Sequence, residues 1–290
     1  MKTTKKLALL LLFAAAGSVA EAQQLMYFTA GLSYTFTGTA ATGTGISYQW
    51  YRDGQPIANA TEQSYILPGS LANGALVEFK RGVKSSSCPD EVSYTNHFLV
   101  KFCTSGVGMG TNCWATANVD APNTFATRAD MYASFYQWNR TTAIAATGTL
   151  VTGWNSADNS ETWTVNPCPV GWRLPTPDEF QAILDAGSVY ESANSNRGNA
   201  VAGRFYGYSR TTCTLPNNMN NCIFLPAVGY RQSSGLAPNS QGTSGYYWTS
   251  TQGGSSANGS YYTFGSANNT SVVNNNFQKI YALSIRCVLQ

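Results

Sequence analysis

The sequence predicts a removable leader and two folded domains. Residues 23–102 read as an all-β sandwich. Residues 103–290 read as a domain in which one short helix packs on a sheet. Three observations carry this expectation. Residues 1–22 have the charge and hydropathy order of a secretory leader. Residues 25–102 alternate apolar and polar side chains between closely spaced turns. The remainder holds one well-capped amphipathic segment and six of the seven cysteines.

The leader comes first. Lys2, Lys5 and Lys6 form a basic start, Leu7 to Ala16 an apolar core, and Ala20-Glu21-Ala22 the small-x-small pattern of a cleavage site, placing cleavage before Gln23. The apolar run is too short to cross a hydrocarbon layer of roughly 30 Å. No cysteine lies near the cleavage point, which argues against lipid attachment there, and no later segment is apolar enough to span a membrane. The expected destination is the medium or the outer cell surface. Removing the leader takes three lysines and one glutamate from 17 cations and 14 acids, so the remaining chain is close to neutral at +1. That balance gives no support to nucleic-acid binding. Charged residues make up 11% and aromatic residues 13%, a composition that suits strands and ordered loops better than helices. Seven cysteines in an exported chain are read first as disulfides; none forms a CxxC pair, so zinc is not expected.

In the first domain, Ile46 to Arg52 alternates and runs into Asp53-Gly54, a strong hairpin signal. Ser64–Leu67 is a second strand, ended by Pro68-Gly69, and Ala75–Val83 and Val92–Phe102 supply two more. The run YQWYRDGQPI resembles the third strand of immunoglobulin-like domains, with Trp50 as the core tryptophan. The usual pair of core cysteines is absent, so the resemblance implies a disulfide-free, bacterial style of immunoglobulin-like sandwich.

In the second domain, Thr176-Pro177-Asp178-Glu179 reads as a capping box: Thr176 at the N-cap, Pro177 in the first helical position and Glu179 reaching back. Phe180, Ile183 and Leu184 then share one face, and Ala186-Gly187 ends the helix. Such a face normally meets a core. Further blocks surround this helix. They are Trp114 to Asn118, Tyr136 to Asn139, Cys168 to Phe180, Leu225 to Arg231, Gly245 to Thr251 and Ser284 to Val288. Together and in this order they resemble the Fibrobacter succinogenes major paralogous domain over residues 110–290, a family of exported bacterial surface modules. That family is in turn similar to the formylglycine-generating enzymes and to C-type lectins. The resemblance implies an α+β C-type-lectin-like domain with its chain ends together on a sheet and binding loops on one side. It further implies a Cys168–Cys287 disulfide, closing a loop of about 120 residues. Cys213 and Cys222 flank the polar loop TLPNNMNN and are expected to pair. Cys103 and Cys113 flank a glycine-rich hairpin, as in lectin-like domains with an extra amino-terminal hairpin. Cys88 is left over: free, buried, or available to another chain.

Enzyme chemistry finds little support. The single histidine, His97, lies in the first domain, with no identifiable catalytic partner. Residues 192–290 contain no Asp or Glu but six cations, Arg197, Arg204, Arg210, Arg231, Lys279 and Arg286. A glycosidase carboxylate pair is therefore excluded from that stretch, and a lectin-type calcium site lacks its acids. Ala237-Pro238-Asn239 has alanine where the lectin Glu-Pro-Asn motif has its ligand, and Trp248-Thr-Ser replaces Trp-Asn-Asp. No redox-active cysteine pair of the formylglycine-generating type is recognisable. The expectation is a protein that is not an enzyme, with no catalytic residues, metal or cofactor, in which Arg173 and Glu179 are structural.

Binding is the stronger expectation. Aromatic residues, amides and glycines crowd the loops between Leu225 and Asn276, the mixture of rigid contact faces and adaptable hydrogen bonds found in binding surfaces. Tyr230, Arg231, Tyr246, Tyr247, Tyr261 and Tyr262 are the candidate contacts, although alternation along a strand turns about half of such rings inward. Arg231 either meets an anionic group such as an acidic sugar or pairs with Glu161 or Glu191. Without calcium ligands, binding is expected to survive a chelator. The leading expectation is an exported adhesion module with a glycan or protein ligand. The alternative is a structural, fimbria-like component that assembles through Cys88 or strand edges. A formylglycine-generating-type oxidase is the remote third.

Overall fold

The computed structural model describes residues 24–290 apart from 69–75, 111, 158–159, 208–209, 217–218, 220 and 268–270. The leader expected at 1–22 and its cleavage point lie outside the described residues. The chain divides into two compact units, Met1–Thr104 and Ser105–Gln290.

In the first unit, five strands form a sheet in the order Gln24–Thr29, Cys88–Cys103, Leu76–Ser85, Ser47–Arg52 and Gln55–Pro56. Strands Tyr34–Thr37 and Ser64–Leu67 form a separate pair. Asp53 and Gly54 both take positive φ between the paired Arg52 and Gln55, the geometry a two-residue hairpin needs. Trp50 is fully buried, its ring against Phe36 and its indole N–H donating to the Glu62 carbonyl at 3.1 Å. The described strands partition five and two, with Gln24–Thr29 parallel to Cys88–Cys103 at one edge of the larger sheet.

The second unit is built from small sheets. Gly245–Gln252, Asn258–Phe264 and Val272–Gln278 form one antiparallel sheet. Ser188–Glu191, Gly203–Tyr206 and Ile223–Pro226 form another. Ser134–Gln137 sits between Ile144–Ala145 and Ala282–Leu283. Val288–Leu289 sits between Trp172–Arg173 and Asn112–Trp114, with Val107–Met109 at the far edge. One helix, Pro177–Asp185, is present among the described residues, and its capping box is made as the sequence predicts: Thr176 Oγ1 accepts from the Glu179 N–H while Glu179 accepts from the Thr176 N–H. Its buried residues Phe180 and Ile183 face the sheets, Phe180 stacking on Tyr262 with centroids 4.6 Å apart.

The expected α+β C-type-lectin-like domain is therefore corrected. The structure is 44% strand and 4% helix, nearly all β. The physical reason lies in the strands. Most are two to four residues long, and Gly203–Tyr206 and Ile223–Pro226 are buried on both faces, so neither length nor alternation reveals them. Cys168 and Cys287 are bonded, as are Cys213 and Cys222. Cys103 and Cys113 are also disulfide-bonded, and Cys88 is free and exposed.

Candidate functional site

The three-stranded sheet of Gly245–Gln252, Asn258–Phe264 and Val272–Gln278 has two aromatic faces. Register pairs Tyr247 with Tyr262, and Trp248 with Tyr261. The first pair faces the helix and is fully buried; Tyr247 donates to the Pro226 carbonyl and the Tyr262 hydroxyl to that of Tyr206, both at 2.7 Å. The opposite face carries Trp248, Tyr246, Tyr261 and Phe277. Trp248 is sealed beneath, its indole N–H donating to the Tyr136 carbonyl at 2.8 Å. Gly259 is required where the strand passes over the Trp138 and Trp248 rings, because a side chain there would collide with both.

Two further rings join this face from outside the sheet. Arg231 and Ala282 exchange backbone hydrogen bonds at 2.9 and 2.8 Å, which sets their neighbours Tyr230 and Tyr281 side by side with centroids 5.9 Å apart. Tyr230 also touches Tyr246 (4.9 Å) and meets Phe277 edge-on (5.0 Å). Phe277 in turn contacts Tyr261 (4.7 Å) and Tyr281 (5.5 Å), and Tyr246 lies nearly parallel to Tyr261. The result is a platform of half-buried rings, Tyr230, Tyr246, Phe277 and Tyr281, over the nearly buried Tyr261. Burial raises the Tyr230 phenol above its ordinary value, helped by Tyr246 and Tyr281; burial does the same to Tyr261, with Tyr246 adding to it. Both rings therefore stay neutral at physiological pH. On the same edge strand Asn275, Asn276 and Gln278 are exposed.

The sequence model of the Fibrobacter succinogenes major domain matches residues 107–289. The chain belongs to that family. No curated protein matches the sequence. Among solved structures, a quinoprotein alcohol dehydrogenase-like protein of Bacteroides thetaiotaomicron aligns at 10% identity and a TM-score of 0.23, over 90% of this chain and 50% of its own, so the chain spans half the length of that protein. A likeness that weak carries no argument about fold or chemistry.

In this Fibrobacter succinogenes major domain, the sequence blocks that identify the family build the core. Arg286 is fully buried and donates to Asn118 Oδ1 and to the Ala115 and Phe224 carbonyls, all at 2.9 Å; burial pushes its pKa down to about 10, still protonated at neutral pH. Arg173 forks onto Glu179 at 2.9 and 2.6 Å. Trp114 packs on Phe180 with centroids 5.0 Å apart.

The structure divides the six candidate contacts. Tyr230 and Tyr246 reach solvent on the platform, and Tyr261 lies just beneath them. Tyr247, Tyr262 and Arg231 do not reach it, and their assignment as ligand contacts is corrected. Arg231 is fully buried. Its Nη2 donates to the carbonyls of Ala145, Thr147 and Gly148 at 2.9–3.2 Å, and its Nη1 to that of Leu236. It pairs with neither Glu161 nor Glu191; Glu191 holds Arg197 at 3.0 Å, and Glu161 accepts from Asn139 at 2.7 Å. Phe277 and Tyr281 are platform rings that the sequence reading missed. The signal available for Phe277 was a lone aromatic in the polar strand VVNNNFQ; Tyr281 joins through the Arg231–Ala282 bridge, which no local pattern announces.

Proposed function

We propose that this chain is an exported binding module, secreted or held at the cell surface, in which the Fibrobacter succinogenes major domain presents the Tyr230–Tyr246–Phe277–Tyr281 platform to a ligand. It binds and does not catalyse. The observation that carries this reading is the platform itself. Four half-buried aromatic rings, two on the sheet and two packed against them from outside it, offer contact area at small entropic cost on binding. Three disulfides support an oxidising destination. The polar residues that a catalytic reading would recruit are spent on the scaffold: Glu179 accepts from both Arg173 and the helix start.

The test is capture by the full-length chain on a combined array of surface glycans and extracellular proteins, repeated with Tyr246→Ala and Tyr281→Ala. Both variants should melt close to wild type and lose at least about tenfold in retention, roughly 1.4 kcal/mol. Undiminished capture by both variants would overturn the assignment of the site.

A further inference from the structure

We infer that the ligand of this platform is a neutral glycan, held by sugar faces stacked on Tyr230, Tyr246 and Tyr281 and by the amides of the neighbouring strand, with no contribution from charge. The inference rests on the platform reading above and narrows it.

Charge is kept away from these rings. Residues 192–290 hold six cations and no acid, which from the sequence promises a basic face. The structure turns these cations inward. Arg204 donates to the Gly265 and Ala267 carbonyls and to Ser188 Oγ. Arg210 donates to the Ala186 and Gly207 carbonyls. Arg197 pairs with Glu191, and Arg286 is enclosed. The two nearest the platform in sequence are Arg231, beside Tyr230, and Lys279, two residues from both Phe277 and Tyr281. Both are buried; the Lys279 ammonium donates to the Glu161 carbonyl at 2.7 Å and lies 5.2 Å from the centre of the Trp138 ring. A carboxylate or sulfate laid on these rings would lose water without gaining a cation from either residue, which is unfavourable.

Amides stand on the strand beside the rings. Asn275 is exposed two residues before Phe277, and Asn274 lies opposite Tyr261 in the register. Each amide offers two donors and an acceptor, the complement of vicinal hydroxyls that both give and take a hydrogen bond.

The face is also small. Four half-buried rings make a small face, well below the roughly 800 Å² that a standard protein partner covers on each side. A pyranose presents one flat face of C–H groups and a rim of hydroxyls, which matches rings bordered by amides.

The experiment uses the full-length chain on immobilised oligosaccharides in matched pairs, one neutral and one bearing a uronic acid on the same backbone. Retention is read at low salt, at about 0.5 M NaCl, where surface charge effects are largely screened, and in a chelator. Neutral members should be retained at least as well as their acidic partners. Salt and chelator should change this by less than about twofold, and Tyr246→Ala or Tyr281→Ala should weaken it at least about tenfold, with Tyr246→Phe near wild type. Preferential, salt-sensitive retention of the acidic members that the tyrosine variants lose would overturn the neutral ligand and leave the platform standing. So would capture of a protein, and of no glycan, that those variants lose. Neutral glycans held equally well by wild type and variants would overturn the platform reading. No retention of any glycan would overturn the inference.

Discussion

At the scale of single residues, the second unit uses arginine as a multi-armed donor to backbone. A guanidinium has five N–H groups in a fixed planar fork, so one side chain can satisfy several carbonyls that no strand or helix pairs. Arg231 does this for the turn at 145–148, and Arg286 for carbonyls from two separated segments. The cost is desolvation, which lowers the pKa of both groups, yet leaves them charged at neutral pH. Arg231→Ala would strand these carbonyls in the interior. With each buried unsatisfied group costing roughly 1–3 kcal/mol, a loss of at least about 3 kcal/mol is expected. Arg231→Lys should recover little, because three donors at one point cannot span the same acceptors. Denaturant unfolding of both variants checks this, and a midpoint unchanged in Arg231→Ala would refute it. This burial was invisible in the sequence: an arginine without a nearby acid looks unneutralised, and nothing local reports that carbonyls will converge on it.

At the scale of elements, legibility depended on length and capping. Ser64–Leu67 lies where its alternation placed it, the Asp53-Gly54 hairpin forms, and the helix starts at Pro177 and stops at Ala186. Those signals are chemical and local. Of the platform, Tyr230, Tyr246 and Tyr261 were legible as a crowd of aromatics, but the sequence reading could not say which rings face outward. Bulges between Trp248 and Gln252 and between Gly259 and Tyr261 break the simple period of two. The helix start makes a pH prediction. Burial alone would raise the Glu179 pKa, but the Arg173 guanidinium and the Thr176 N–H outweigh it and hold the carboxyl below its ordinary value. A carboxyl with a depressed folded-state pKa stabilises the protein above its unfolded-state pKa, and that contribution disappears as pH falls through the folded value. Glu179→Gln should therefore cost roughly 1 kcal/mol at pH 7, the scale of a helix cap, and the gap from wild type should shrink as the solution is acidified toward pH 3. Melting both proteins across that range tests the sign; a gap that widens in acid would contradict it.

At the scale of the whole molecule, the family was legible and the fold class was not. The blocks at Trp114, Arg173, Trp248 and Arg286 identify the domain because they are its core, where packing leaves few alternatives. The fold class was carried by analogy to α+β folds, whereas this unit closes its core with many short strand pairs. A structure of this kind relies on links between segments distant in sequence. The Cys168–Cys287 bond spans 119 residues and joins the segment before the helix to the segment before the last strand. Replacing both cysteines with serine should cost about 2–5 kcal/mol, read as a lower unfolding midpoint that reductant no longer changes at that bond. A double variant as stable as wild type would show that the strand pairing alone holds these segments.

Val288–Leu289 lies between two strands contributed by residues 112–114 and 172–173, and Ala282–Leu283 beside Ser134–Gln137. This has a consequence in time. The chain is made from its amino end, so the segments at 112, 134 and 172 must wait for partners at 282–289 that follow them in the sequence. At roughly 5–20 residues per second, the span from 112 to 289 takes on the order of ten to thirty-five seconds to synthesise. Throughout that interval Cys168 has no Cys287 to bond, and the carbonyls that Arg286 will satisfy have no donor. The core of the unit is complete only once residues 282–289 lie between these earlier strands.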